Sequence, residues 1–83
     1  MSRFELFHKI ANVDCAAIRR RISEMGLKSL FDFRNVDTGD TASGDLASRG
    51  GSLEAVPIVW DGTKLITGRN DIEIFLTTLA NRI

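Results

Sequence analysis

The chain has 83 residues, which suffices for one domain, residues 1–83, with a modest hydrophobic core. Lysine and arginine together number 11, as do aspartate and glutamate, so no overall basic charge predicts binding to nucleic acid or to an anionic membrane. No apolar run reaches the roughly 20 residues of a membrane span. A single cysteine, Cys15, excludes an internal disulfide, and no signal-peptide pattern opens the chain, so we expect a cytoplasmic protein.

The first half of the chain predicts a strand, a helix and a second strand. Residues 4–8 have strand composition. Asn12 suits a helix N-cap because its side-chain oxygen accepts a backbone N–H of the first turn, and Gly26 ends the helix. Residues 30–36 predict a second strand, which we expect to be central and parallel to the first through a right-handed crossover. The apolar stripe of the helix comprises Cys15, Ile18, Ile22 and Met25.

The second half predicts a short helix, a hairpin and a last helix. Residues 38–49 suit a short helix, although each glycine inside it costs about 1 kcal/mol relative to alanine. Residues 55–60 and 64–66 predict two antiparallel strands, because Asp61-Gly62 between them is a strong hairpin signal.

The last helix is predicted to begin at Asn70 as its N-cap, with Glu73 as a capping-box partner three residues later. Its apolar face comprises Ile72, Phe75, Leu76, Leu79 and Ile83. The predicted order of elements is therefore β-α-β-α-β-β-α, which belongs to the α/β class.

Four landmarks, in this order along the chain, resemble the glutaredoxin family of the thioredoxin superfamily. The first is the initial strand followed by Lys9 and the stretch Asn12 to Cys15, and the second is the helix that ends at Met25-Gly26-Leu27. The third is Val56-Pro57, similar to the family's T-V-P motif, and the fourth is Thr67 to Asp71, similar to its G-G-x-x-D turn. The resemblance covers nearly the whole chain. It implies a thioredoxin-like, glutaredoxin-type fold with a four-stranded mixed sheet, helices on both faces and a cis peptide bond before the proline.

The departures from the family pattern concern its chemistry. Asn12 occupies the position of the first, nucleophilic cysteine, and Val13-Asp14 replaces the family's Pro-Tyr. In the family that cysteine lies at a helix N-terminus, where the backbone dipole lowers the pKa of a thiol. Ala55 stands in place of the threonine of T-V-P, and Thr67 replaces the first glycine of the turn. Both the one-cysteine and the two-cysteine mechanisms use the first position, so the resemblance implies impaired or altered disulfide oxidoreductase activity.

Cys15 is the only candidate catalytic thiol that remains. Its place in the first helical turn favours the thiolate, whereas burial and the neighbouring Asp14 oppose it. Because a buried free cysteine usually behaves as a small hydrophobe, we expect Cys15 to be structural. His8 has no second ligand nearby in the sequence, so no metal site and no cofactor are expected. An iron–sulfur cluster, which some one-cysteine glutaredoxins hold, would need the cysteine that Asn12 replaces.

A glutathione site can survive the loss of the nucleophile. In the family a lysine pairs with the glycyl carboxylate of glutathione, the residue before the proline bonds the cysteinyl amide, and the last turn holds the γ-glutamyl end near helix N-terminal N–H groups. Without the resemblance, Lys9 is a solvated charge, Asn70 a helix cap and Asp71 a first-turn acid. The residues to which the resemblance assigns glutathione binding are Lys9, Val56, Pro57, Gly68, Arg69, Asn70 and Asp71.

Three functions from different classes follow. The first is a glutaredoxin-like redox protein whose only thiol is Cys15. The second is a non-catalytic module that uses the groove beside Pro57 for glutathione, an extended peptide or a protein partner. The third is a domain similar to the N-terminal part of glutathione S-transferases. Against the third, Thr67-Gly68 replaces that family's Glu-Ser pair, and no all-helical second domain is encoded in the 83 residues. The sequence leaves the oligomeric state open.

Overall fold

The computed structural model describes residues 3–38 and 41–82 and has three α-helices and a four-stranded mixed sheet, as the predicted α/β class requires. Two short 3₁₀ turns lie at Lys28–Leu30 and Leu53–Ala55. The order of elements matches the predicted one. In chain order they are β1 (Phe4–His8), α1 (Val13–Glu24), β2 (Phe31–Asn35), α2 (Ala42–Ser48), β3 (Ile58–Trp60), β4 (Leu65–Thr67) and α3 (Arg69–Arg82).

The strands are arranged in the order β2-β1-β3-β4. β1 runs parallel to β2, with Leu6 opposite Phe33, and antiparallel to β3, with Leu6 opposite Val59. β4 pairs antiparallel with β3. The prediction that the second strand is central was wrong, because β3 pairs with the free side of β1 and leaves β2 at the edge. The alternation of Phe33 with the charged Asp32 and Arg34 fits such an edge position.

The hydrophobic core lies on both faces of the sheet because successive side chains of β1 point to opposite sides. Phe4 and Leu6 pack against α1 and α3 on one face, and Phe7 packs against α2 on the other. Helices therefore cover both faces. The first face is completed by Ile18, Ile22, Leu27, Phe31, Val59, Ile72 and Leu76, and the second by Cys15, Val36, Ala42, Leu46, Val56 and Ile58.

The last helix begins two residues earlier than predicted, because an N-cap at Asn70 would place the first helical residue at position 71. α3 begins at Arg69, and the N–H of Ile72 donates to the carbonyl of Gly68 at 3.0 Å. Gly68 has a φ of 96°, a conformation open to glycine, and this lets the chain enter the helix directly from β4. Asn70 therefore lies inside the first turn and is not the N-cap. Residue 83, predicted to belong to the apolar face, lies outside the described residues.

The hairpin between β3 and β4 follows the Asp61-Gly62 signal. The Asp61 carboxylate accepts the backbone N–H groups of Thr63 and Lys64, both at 2.8 Å, and these bonds lower its pKa. Before β3, the Val56–Pro57 peptide bond is cis, so the expectation from the family resemblance is confirmed at this bond. Within the described residues, none of the helices has the length and apolar content needed to cross a membrane.

Candidate functional site

Asn12 is the N-cap of α1, as the sequence predicts. Its backbone is extended (φ −90°, ψ 128°), and its side-chain Oδ1 accepts the N–H of Cys15 at 2.9 Å. This bond satisfies one of the amide groups that a helix start leaves without an intrahelical partner. The residue that stands where the family has its nucleophile therefore has a structural role in this chain.

Cys15 lies directly beneath that cap and is 0% exposed. Its sulfur accepts the backbone N–H of Lys9 at 3.4 Å and packs in the same cluster as Phe7 and Val56. Burial raises the pKa of the Cys15 thiol, although the Lys9 N–H and the nearby Arg19 guanidinium counteract part of the rise. A thiol that is both buried and protonated is a poor nucleophile.

Arg19 fixes the segment between β1 and α1, a role that the sequence did not indicate. Its Nη1 donates to the carbonyl of Lys9 at 3.1 Å and lies 3.0 Å from His8 Nδ1, and its Nη2 donates to the carbonyl of Ile10 at 3.3 Å. Because a guanidinium can only donate, His8 accepts through Nδ1 and is neutral in this contact. Burial, and then the charge of Arg19, lower the pKa of His8.

The Arg19 side chain appeared in the sequence as one of three consecutive arginines, a pattern typical of a solvated helix face. The three arginines have different surroundings in the structure. Arg19 is hydrogen-bonded to the segment between β1 and α1, Arg21 pairs with Glu73 of α3 at 3.1 Å, and Arg20 is exposed. Helical geometry turns consecutive residues about 100° apart. The periodicity alone does not show which of the three faces the loop.

Val56 packs in the same cluster as Cys15 on the α2 side of the sheet, Pro57 follows it in the chain, and both are buried. Val56 has an extended backbone (φ −64°, ψ 147°). Within residues 3–38 and 41–82, its backbone N–H and carbonyl have no hydrogen-bond partner. An extended residue with free backbone groups is the arrangement that pairs with an added β-strand or extended peptide.

The turn from Gly68 to Asp71 is exposed and is joined to the start of α1 by an ion pair. Arg69 Nη1 lies 3.2 Å from Asp14 Oδ1, and Arg69 Nε lies 3.7 Å from Glu73 Oε2. The N-termini of α1 and α3 are therefore close together. Asp71, by contrast, lines a separate groove between α3 and the β3–β4 hairpin.

The candidate residues thus fall into two groups. Asn12, Cys15 and Lys9 are joined by hydrogen bonds, and Val56 packs in the Cys15 cluster. Arg69 reaches this group through Asp14. Among the described residues, no hydrogen bond or ion pair joins the group to Gly68, Asn70 or Asp71. Lys9 is half-buried, and its ammonium group has no ion-pair partner there.

A charged cluster that the sequence did not indicate lies on the α2 face. Glu5 accepts from Arg34 through Oε1 and from Arg49 through Oε2, the latter at 2.9 Å. Arg34 also donates to Asp45 of α2 at 2.6 Å, and this bond raises its pKa. The Arg49 guanidinium lies 4.7 Å from the centre of the Trp60 ring. The cluster is electrically balanced and joins β1, β2 and α2, so we assign it to the fold.

No group of three or more histidine, cysteine or acidic side chains is placed to hold a metal ion within the residues described. No protein-family model, curated protein or solved structure matches this chain in comparisons with known proteins. Function must therefore be argued from the residues and their geometry.

Proposed function

We propose that this chain is a glutaredoxin-like protein of thioredoxin-type fold that keeps the family's ligand groove and has lost its thiol–disulfide chemistry. The sheet order β2-β1-β3-β4, with one parallel and two antiparallel pairings, supports the proposal. So does the placement of α1 and α3 on one face and of α2 on the other. The resemblance implies a four-stranded mixed sheet with helices on both faces, and these observations agree with it at that level.

The proposed loss of thiol chemistry follows from Asn12 and Cys15, the first and last residues of the stretch that resembles the family's active site. Asn12 carries no thiol, and its side chain is engaged in capping α1. Cys15 is fully buried, and burial raises its pKa, so the thiolate is scarce and has no path to a disulfide substrate. Of the functions considered, a redox role based on Cys15 therefore has the weaker support.

The observation that carries the proposal is the free backbone of Val56 beside the start of α1. A ligand with an extended backbone would pair with the Val56 N–H and carbonyl in the manner of an added strand. Glutathione is such a ligand, because its cysteinyl residue lies between two amide bonds.

The charges around Val56 suit the two carboxylates of glutathione. Lys9 offers an ammonium group without an ion-pair partner among the described residues, on the segment that bonds Cys15. The first-turn N–H groups of α3 supply a partial positive charge for the γ-glutamyl carboxylate. Arg69 already pairs with Asp14 and Glu73, so its charge is not free for the ligand. Its role in this proposal is to hold the start of α3 in place beside α1.

The test is a titration of the ¹⁵N-labelled protein with reduced glutathione, followed by amide chemical shifts. We expect shifts that cluster at Lys9, Val56 and residues 68–71. Lys9→Gln should weaken binding about 1.5- to fivefold, since ion pairs near the surface contribute about 0.2–1 kcal/mol. Lys28→Gln, in the 3₁₀ turn that follows the C-terminal end of α1, is the control and should leave the affinity unchanged. The absence of amide shifts at about 10 mM glutathione would refute the glutathione proposal, because a specific site with a dissociation constant of about 1 mM or less would be at least nine-tenths occupied at that concentration.

A second assay separates binding from chemistry. The wild-type protein and Cys15→Ser are compared in the reduction of a glutathione-mixed disulfide, and we expect neither to turn over substrate. Turnover by the wild type that disappears in Cys15→Ser would establish a redox role and overturn the non-catalytic part of the proposal. The two assays are independent, because a redox-silent protein still binds or fails to bind glutathione.

A protein segment is the second candidate ligand, and the exposure of two apolar residues favours it. Val13 is 79% exposed and Ile10 is 62% exposed, and both flank Asn12 at the start of α1. Apolar side chains at the rim of a groove are typical of surfaces that bind proteins. A short blocked peptide of alternating leucine and serine should bind more tightly than glutathione and lose affinity on Val13→Ser. Equal affinity of the two ligands would count against this candidate.

A further inference from the structure

A second groove runs along the outer face of α3 and shares only Asp71 with the proposed ligand site. It has a volume of about 740 Å³ and lies between α3 on one side and the β3–β4 hairpin with the start of β1 on the other. The α3 residues that line it are Asp71, Ile74, Phe75, Thr78, Leu79 and Arg82. These positions recur at helical spacing, so they form one continuous stripe of the helix.

Ile74 forms a ridge at the edge of this groove. It is 65% exposed and also lines a shallower depression of about 260 Å³ on its other side. Thr78 borders both depressions and is exposed, whereas Phe75 and Leu79 are half-buried against the core. The wall opposite α3 carries Phe4 and Ile66 together with the charged Arg3, Asp61 and Lys64. The surface thus offers an apolar ridge beside a groove of mixed apolar and charged lining, and a copy of the same surface offers a ridge that can enter this groove.

The charges of the stripe lie at its two ends. Asp71 is near the N-terminal end of α3 and Arg82 is at the other, eleven residues away, which corresponds to about 16 Å along the helix. Neither has an ion-pair partner within residues 3–38 and 41–82, whereas the neighbouring Arg69 and Glu73 pair with each other and with α1. The free charges of the stripe are therefore one acid and one base, placed symmetrically about its apolar centre.

We propose that α3 is the interface of a symmetric homodimer, in which two copies of the helix pack antiparallel about a twofold axis between Leu76 and Thr77. This axis places Asp71 of one protomer opposite Arg82 of the other. It also places Ile74 opposite Leu79, so that the ridge of each protomer enters the groove of its partner. A twofold axis requires a self-complementary surface, and this stripe meets that condition in the placement of its two end charges and of its ridge beside the groove. Antiparallel packing also sets each helix N-terminus near the C-terminus of the partner helix, which is favourable for the helix dipoles.

The first test is sedimentation equilibrium over about 5 μM to 1 mM protein. We expect a concentration-dependent dimer in the wild type and a monomer for Ile74→Glu over the whole range. Ile74 is exposed, so this substitution leaves the core intact, which the circular dichroism spectrum will verify. Val13→Glu, an equally exposed apolar position at the start of α1, is the matched control and should dimerise like the wild type.

The second test reverses the charges at the ends of the stripe. Asp71→Arg and Arg82→Asp should each weaken dimerisation about tenfold or more, because each places like charges opposite one another twice in the dimer. The double variant Asp71→Arg/Arg82→Asp restores both ion pairs and should regain the wild-type dissociation constant. A wild-type monomer at 1 mM would overturn the proposal, as would a dimer that Ile74→Glu leaves intact or a double variant that stays as weak as the single ones.

Discussion

Asn12 offers a direct way to ask whether the start of α1 can still activate a thiol. We consider Asn12→Cys in a Cys15→Ala background, so that the new thiol is the only one in the chain. The Asn12 side chain already accepts the Cys15 N–H at 2.9 Å, and a sulfur at this N-cap would face the same amide group. A thiolate accepts such a bond better than a thiol does, so the helix start should favour the ionised form.

The magnitude follows from the local charges. A negative charge at a helix N-terminus gains about 0.3–1 kcal/mol when exposed and up to about 2 kcal/mol when partly buried. Because one pKa unit corresponds to about 1.4 kcal/mol, the pKa of the new thiol should lie about one unit below the usual value near 8.5. Asp14 is adjacent, but its carboxylate is paired with Arg69, which reduces its opposition to a second negative charge.

The assay is ultraviolet thiolate absorbance as a function of pH, supported by the rate of reaction with iodoacetamide. Asn12→Ser in the same background keeps a capping oxygen without a thiol and provides the spectroscopic baseline. If the Asn12→Cys/Cys15→Ala protein folds and the pKa of its thiol is about 8.5 or higher, the reasoning is refuted, since the start of α1 would then not stabilise a thiolate at position 12.

Three further predictions concern Cys15, His8 and Glu5, which are buried or partly buried. In the wild type, Cys15 should react with iodoacetamide about a hundredfold more slowly than in the urea-unfolded chain, because its sulfur is inaccessible; comparable rates would contradict its burial. Burial and the charge of Arg19 hold the pKa of His8 in the folded protein below the ordinary histidine value of about 6.5, so the native state binds fewer protons and the free energy of unfolding should fall as pH drops below that value. Urea unfolding at pH 7.5 and 5.5 should show this loss in the wild type but not in His8→Gln. Glu5→Gln should cost about 1–3 kcal/mol in urea unfolding, because Arg34 and Arg49 would lose their shared carboxylate; Glu54→Gln, an exposed control, should cost little.

The features that the sequence predicts well are those set by neighbouring residues. The cap at Asn12, the buried stripe through Cys15, Ile18 and Ile22, and the hairpin at Asp61 all depend on interactions within about one turn of chain. Local interactions of this kind are encoded in short patterns. The wrong prediction that Asn70 caps the last helix also concerns a local interaction. Gly68, with its positive φ, lets the helix begin at Arg69, before the capping signal at Asn70.

The features that were missed are set by residues far apart in the chain. The edge position of β2 depends on where β3 pairs, and strand order is not written in the periodicity of either strand. Glu5 is 29 residues from Arg34 and 44 from Arg49, so no local pattern identifies their cluster. The bonds from Arg19 to the Lys9 and Ile10 carbonyls likewise become apparent only when α1 is packed beside β1.

The contacts of Asn12, Cys15 and Val56 indicate which part of the site remains available to a ligand. A redox site needs an exposed thiol at the helix start, and this chain has an amide there that caps the helix and a cysteine beneath it that fills the core. Both residues stabilise the fold through contacts that a reactive thiol would have to give up. The free backbone of Val56, by contrast, stabilises nothing within the described chain, and a buried backbone group without a partner costs free energy unless water or a ligand satisfies it. The part of the site that still lacks a partner is therefore the proposed binding surface, which is why a ligand titration discriminates between the hypotheses more sharply than an activity assay does.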